Sequence, residues 1–264
     1  MINVPKQFFP KFNCELIRLG NNSDGGYVIS KKSVENSNFL ISFGLSNDWS
    51  FEEAYTKMTN QKVYCFDLSV NNIFWIKNFI KSLLNIFFLR DIKKNFKNLI
   101  SYFRYKIFFG NKNNVHIKKF IFPLNSKKNI YKKEVITDLN KILETTKEKC
   151  YLKIDIEGNE YRILDQIILN QKKINGMSIE FHDFDLHINL ISDFINKFDL
   201  EIVHLHVNNF GLINKNSIPS VVEFSFAKKE YVDISEVNNK TYPLNIDKPC
   251  NKELEDENIT FINL

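Results

Sequence analysis

The feature that most narrows the fold is an alternation that begins at residue 38 and runs most of the way to the end of the chain. NFLISFGL (38–45) is a short apolar run ending near a glycine, and WSFEEAYTKMT after it has helical spacing. Ser50 is placed to cap that helix, with Glu53 completing a capping box. QKVYCFDLS (61–69) reads as a second strand, VHIKKFIFPL (115–124) as a third and VITDLNKILETTKEK (135–149) as a helix. YLKIDIEG, NEYRILDQIILN, INGMSIEFH (174–182) and LHINLISDFINKF (186–198) continue as strand, helix, strand, helix. Such alternation implies an α/β chain with a mostly parallel sheet and helices on both faces. LEIVHLHV (200–207) and SVVEFSFAK (220–228) are joined by a short stretch with Asn-Asn, Gly and Pro in it. A helical crossover fits that space poorly, so an antiparallel hairpin is expected there.

Residues 71–114 interrupt the pattern. They are helical in character and aromatic, and carry nine Lys or Arg against Asp91, a charge of +8 in a chain whose total is +5. The expected structure is a helical subdomain packing its aromatic face on the sheet. A dimer surface, a cap over a substrate pocket and a face lying on anionic lipid are the alternatives. The 264 residues, 44% hydrophobic and 25% charged, are expected to form a single globular domain, 1–264, containing this insert. Cys14, Cys65, Cys150 and Cys250 form no CxxC pair, the N-terminus has no signal-peptide core, and no apolar run reaches a membrane span. A cytoplasmic protein is the simplest expectation. The polar tail after about residue 231 is expected to wrap the surface.

Ligands of an open parallel sheet sit beyond the carboxyl ends of the strands. The first strand ends SFGLSNDWSFEE, with Gly44 alone and Ser46 where a dinucleotide fingerprint wants a second glycine. That loop argues against a pyrophosphate. It suits a sulfonium cofactor, which has no phosphate and tolerates acids such as Asp48 or Glu52 close by. Asp67, ending the second strand, is spaced to accept ribose hydroxyls, or else to form a cap with Ser69. RLGNNSDGGYVI (18–29) holds Asp24 in a tight turn between short strands. In LKIDIEGNE, Asp155 ends a strand, Gly158 permits a turn, and Glu160 lies where it favours the positive end of the next helix. SIEFH places Glu180 and His182 on one face, and IVHLHVNN places His204 and His206 together before Asn208 and Asn209. His182 and His206 are expected to end neighbouring strands beside Asp155.

These motifs together resemble the FkbM-like S-adenosylmethionine-dependent methyltransferases. DGGYVI, ISFGLSNDWSFEEAY, VYCFDLS, LKIDIEGNEYRIL and SIEFH follow in the family's order over roughly residues 18–226, with the 71–114 insert as the departure. The resemblance implies a Rossmann-like class I methyltransferase sheet, for which five parallel strands and a terminal antiparallel hairpin are the expected pattern. It places Gly44, Ser46, Asp48 and Glu52 around the methionine portion of the cofactor, Asp67 on the ribose, and Asp24 with the cofactor-binding set. It also implies a hydroxyl acceptor on a sugar or nucleotide-activated sugar of a capsule or other surface polysaccharide.

Methyl transfer needs the acceptor oxygen aligned and its proton removed or weakened. A histidine can take that proton, or a divalent cation (manganese, iron, zinc or magnesium) can lower the hydroxyl's pKa. Asp155, His182 and His206, with Glu180 or Asn208 nearby, are the expected catalytic group and equally the expected metal ligands. Two rivals stand beside this reading. One is a nicotinamide-dependent sugar-modifying enzyme, opposed by the missing glycines. The other is a non-catalytic peripheral membrane or scaffold protein using the insert. Nucleic acid is not an expected partner, because the positive charge lies on one insert without a recognition motif.

Overall fold

In the computed structural model, residues 1–124, 135–144 and 146–263 are described. The chain opens with β1 (Ile2–Pro5), β2 (Phe12–Asn13), and the hairpin of β3 (Leu16–Leu19) with β4 (Tyr27–Ser30). A short helix α1 (Lys31–Glu35) leads into β5 (Phe39–Phe43), α2 (Ser50–Thr59) and β6 (Lys62–Phe66). The insert forms α3 (Asn72–Phe87) and α4 (Ile92–Gly110), after which β7 (Asn114–Ile117) returns to the sheet. Then come β8 (Phe120–Ile121), β9 (Ile136–Thr137), α5 (Leu139–Glu144), β10 (Cys150–Ile154), α6 (Leu164–Asn170) and β11 (Ile174–Phe181). The last elements are α7 (Phe184–Lys197), β12 (Glu201–Val207), β13 (Val222–Ala227), β14 (Asp233–Val237) and β15 (Ile259–Ile262).

Seven strands form the central sheet in the order β12-β13-β11-β10-β5-β6-β7. β13 runs antiparallel to both its neighbours, and β11, β10, β5, β6 and β7 are mutually parallel. This is the methyltransferase variant of the Rossmann sheet. The strand order reverses between β5 and β10, so a crevice opens past their carboxyl ends. The strands are apolar runs because both faces are covered: Ile41, Phe43, Leu152 and Ile154 belong to one core, and Leu40, Val63, Cys65 and Tyr151 to the other.

Several expectations shift. The hairpin of the last two strands is present, but β13 sits between β11 and β12, so His182 and His206 do not end neighbouring strands. The third strand is shorter than 115–124. A tight turn, Lys119 N–H to Ile117 O, ends β7, and β8 pairs with β9 away from the sheet. The helix expected over 135–149 contracts to α5, where Asp138 accepts from Lys141 N–H at 2.8 Å; position 145 lies outside the described residues. The tail does more than wrap the surface: β15 pairs with β1, and buried Asp247 and Cys250 enter the interior.

The insert is an antiparallel helical hairpin. Asn85 donates to Asn95 at 3.2 Å near its turn, and Trp75 meets Tyr102 and Tyr105 at its open end. Trp49 packs on both Trp75 and Tyr105, which anchors the root of the hairpin to the domain.

Candidate active site

A cavity of about 390 Å³ lies past the ends of β5, β6 and β10. Its floor is the turn after β5. Gly44 has φ +83°, and a Cβ there would lie 1.6 Å from the Asp155 carbonyl oxygen, so only glycine lets the two strand ends approach. Asp67 holds that turn. Its Oδ2 accepts from the Leu45 and Ser46 N–H groups at 3.0 and 2.9 Å, and its Oδ1 from the N–H and hydroxyl of Ser69 at 2.7 and 2.6 Å. Burial pushes this carboxyl up, but the donors from Ser69, Ser46 and Leu45 outweigh it and hold Asp67 below the usual range. The cap with Ser69 and a pocket-lining position are thus both found.

Asp48 lines the cavity and accepts from Ser50 N–H, at the first residue of α2, at 2.9 Å, while Asn21 donates to its other oxygen. The expected capping box at Ser50 does not form. Ser50 begins the helix proper, and Glu53 instead accepts from Trp49 Nε1 and Arg104. Glu52 also departs from expectation. It is fully buried beneath the turn, accepts from the Ser42 hydroxyl at 2.5 Å, and faces Lys153 at 3.8 Å. It cannot touch a ligand directly. Lys153 reaches over it to donate to the Gly44 carbonyl at 3.2 Å and lines the cavity. Burial pulls Lys153 down, yet Glu52 and Asp155 outweigh this and keep it charged.

The other cavity wall is acidic. Asp24, Asp48, Asp67, Asp155 and Glu157 face Lys153, the one base among the described lining residues. A pyrophosphate would be repelled there, whereas the sulfonium and amino cations of S-adenosylmethionine are attracted. The residues present therefore fit that cofactor and oppose a dinucleotide.

At the cavity's edge the chain assembles a histidine site. Glu157 and Gly158 both have positive φ, a turn that brings Glu157 Oε2 within 3.3 Å of His182 Nε2. Glu160 stands, as expected, in the first turn of the next helical segment, the 3-10 turn Glu160–Arg162 that leads into α6, and it is fully buried. It accepts from Gly158 N–H and His182 N–H, and pairs with His182 Nδ1 at 3.2 Å. This leaves Nε2 facing Glu157 and Glu180, the latter at 3.5 Å. Asp155, Glu157 and His182 each offer a ligand atom within 4.8 Å of the others, the size of a divalent-cation site. Tyr27 Oη bridges Asp155 and Glu180 at 3.3 Å each, and Asn208 donates to Glu180 at 3.1 Å. Burial, then Asp155 and Glu223, push Glu180 well up. Burial pulls His182 down, but Glu160 and Asp155 raise it overall.

The expected group is thus only partly assembled. Asp155 and His182 meet. His206 is buried with both nitrogens occupied, Nδ1 by Glu223 at 3.2 Å and Nε2 by Asp256 at 2.9 Å. These carboxylates outweigh burial and raise it to about 10, and away from the cavity lining His206 groups with Glu223 and Cys250, their ligand atoms within 4.8 Å of one another. His204 pairs similarly with Asp247. Sequence reasoning missed Tyr27, Lys153, Glu223 and the tail acids. Lys153 had a visible signal, a lone charge inside an apolar strand; the tail acids had none. It also missed His116, whose Nε2 meets the Asp67 carbonyl at 2.8 Å while Tyr105 of the insert meets its Nδ1 at 2.6 Å.

Fold and site together define a Rossmann-like, S-adenosylmethionine-binding methyltransferase. The model of the methyltransferase FkbM domain matches residues 5–201, and the chain belongs to that family. No curated protein matches it in sequence. Solved structures of similar fold include a methyltransferase FkbM from Methylobacillus flagellatus KT, at 14% identity and TM-score 0.42, covering 72% of this chain and 44% of that longer one. An rRNA methylase from Streptococcus thermophilus matches at 11% identity and TM-score 0.40, covering 75% of this chain and 90% of that one. TYW2 of M. jannaschii, solved in complex with AdoMet, matches at 12% identity and TM-score 0.34, covering 75% and 74%.

Proposed function

We propose that the chain is an O-methyltransferase acting on a hydroxyl of a sugar or nucleotide-activated sugar, in the assembly of a capsule or other surface polysaccharide. The observation that carries this reading is His182, its Nδ1 on buried Glu160 and its Nε2 turned toward the acids at the cavity edge. A hydroxyl is a poor nucleophile, and a fixed imidazole is the group that removes its proton. The sugar class itself comes from the family resemblance.

When bound, S-adenosylmethionine supplies an activated methyl carbon. The Gly44–Ser46 turn held by Asp67 shapes its seat, and the acids Asp24, Asp48 and Asp155 favour its positive charge. His182 can receive the acceptor's proton at Nε2 only once the exposed Glu157 carboxylate has swung off that nitrogen, and Glu160 stabilises the imidazolium that results. The close grouping of Asp155, Glu157 and His182 favours a second reading, in which these three hold a divalent cation that lowers the hydroxyl's pKa.

A methyl-transfer assay on nucleotide-activated sugars, with RNA as a control acceptor and with and without chelator, tests both. Transfer to sugars that survives chelation but is lost in His182→Ala supports the base. Loss on chelation with recovery on adding manganese supports the metal. Transfer to RNA and not to sugars would overturn the acceptor class.

A further inference from the structure

The helical hairpin α3–α4 packs the Trp75 and Tyr105 side to the domain and leaves a broad apolar face uncovered. Ile73, Ile76, Ile80, Leu83 and Phe87 are exposed and follow one another at three- and four-residue steps along α3. Ile92, Phe96, Ile100, Phe103 and Ile107 do the same along α4. At about 100° per residue, the stripe is turned roughly 130° on α3 and roughly 110° on α4, in the same sense, from the packed edge of its helix. The packed edges are Trp75 and Ser82 on α3, and Asn95 and Tyr102 on α4. In two antiparallel helices, similar rotations in the same sense fall on one side, so the stripes merge into a single face. The turn joining the helices continues it, with Phe87 80% and Leu89 78% exposed.

Charge identifies what this face meets. Lys77, Lys93 and Lys97 are exposed within about 100° of the apolar stripes, Arg90 lies in the turn that continues them, and Lys81 and Lys94 are exposed further round the helices. A second copy of the chain would set +8 against +8 across an apolar contact. A nucleic acid would use the lysines but has no place for ten aliphatic and aromatic side chains. An anionic bilayer takes both, the apolar stripe in the acyl boundary and the lysines among the headgroups. No helix among the described residues is long and apolar enough to cross a membrane, so the contact is interfacial.

We propose that the α3–α4 hairpin docks the protein on the surface of an anionic lipid bilayer, with the Phe87–Leu89 turn inserted. The hairpin begins three residues after Ser69, which lines the cavity, so docking holds the cavity close to the lipid surface.

Flotation of the full chain with vesicles of phosphatidylcholine alone, or mixed with phosphatidylglycerol, tests this. Two variants accompany it: Phe87→Ser with Leu89→Ser, and Lys77→Ala with Lys93→Ala and Lys97→Ala. The expected result is binding to the anionic vesicles, weakened by salt, with little binding to the neutral ones. Each lysine near an anionic surface is worth about fivefold, so the triple variant weakens binding by about a hundredfold. The turn variant loses binding while melting at the wild-type temperature. Should the turn variant unfold, the lysine variant decides alone, since alanine supports an exposed helix. Equal binding to neutral and anionic vesicles, or unchanged binding in a folded variant, would overturn the proposal. So would sedimentation showing a dimer dispersed by the turn variant, or salt-sensitive RNA binding, without vesicle binding.

Discussion

At the scale of single residues, Asp67 and His206 show how differently two strand-end groups can be used. Asp67 receives four hydrogen bonds, and two of them fix the backbone turn on which a cofactor would rest. Asp67→Ala removes both the turn's anchor and a carboxylate from the cavity. Since hydrogen bonds to a charged group are worth about 1.5–3 kcal/mol each, S-adenosylmethionine affinity should fall at least about tenfold by calorimetry. His206 contributes to stability instead. Asp256 and Glu223 hold its folded-state pKa at about 10 against burial, whereas an unfolded histidine titrates near about 6.5. The folded state then binds more protons across that interval. The contribution is fully present below about pH 6.5 and is lost as pH rises toward 10. Thermal melting of the wild type should therefore decline between those pH values, and His206→Gln should flatten that decline.

At the scale of elements, the buried pair of Lys153 on β10 and Glu52 on α2 ties the central strand to the helix that follows β5, beneath the cofactor turn. Breaking a buried pair strands the remaining charge, at about 3–5 kcal/mol. Lys153→Met should lower unfolding stability by that order in denaturant titration, and Lys153→Met with Glu52→Gln should recover part of it. The central-sheet strands and the longer helices were legible, because those strands are buried apolar runs and those helices repeat at three and four residues. The third strand and the helix after it came out shorter, and the small edge strands, such as exposed β14, were not read. Nor was lateral order legible. Nothing in SVVEFSFAK tells that it inserts between β11 and β12, placing Glu223 opposite both Glu180 and His206. For the same reason His206 was expected beside His182, and the structure gives it to Glu223 and Asp256 instead. Glu52 stood four residues after Asp48 and read as a ligand-facing acid. Its neighbours Phe51 and Tyr55 carry the helix face inward, and it goes with them.

At the scale of the molecule, the reversal of strand order between β5 and β10 opens one crevice, and residues far apart in sequence converge on it. Asp24 comes from the N-terminal hairpin, Asp67 from β6, Asp155 and Glu157 from beyond β10. The insert reaches the same place through Tyr105, His116 and the Asp67 carbonyl, which links the hairpin's root to the cofactor turn. The account's central claim is that this crevice seats S-adenosylmethionine and that His182 at its edge enables transfer to a sugar hydroxyl. The most direct measurement is transfer of labelled methyl from S-adenosylmethionine to a panel of nucleotide-activated sugars, by wild type and His182→Ala, with cofactor affinity measured on both. The account predicts turnover by the wild type, a fall of about 10²–10⁴-fold in His182→Ala, and cofactor affinity nearly unchanged. Undiminished turnover in a folded His182→Ala, or a wild type that binds NAD and not S-adenosylmethionine, would contradict it.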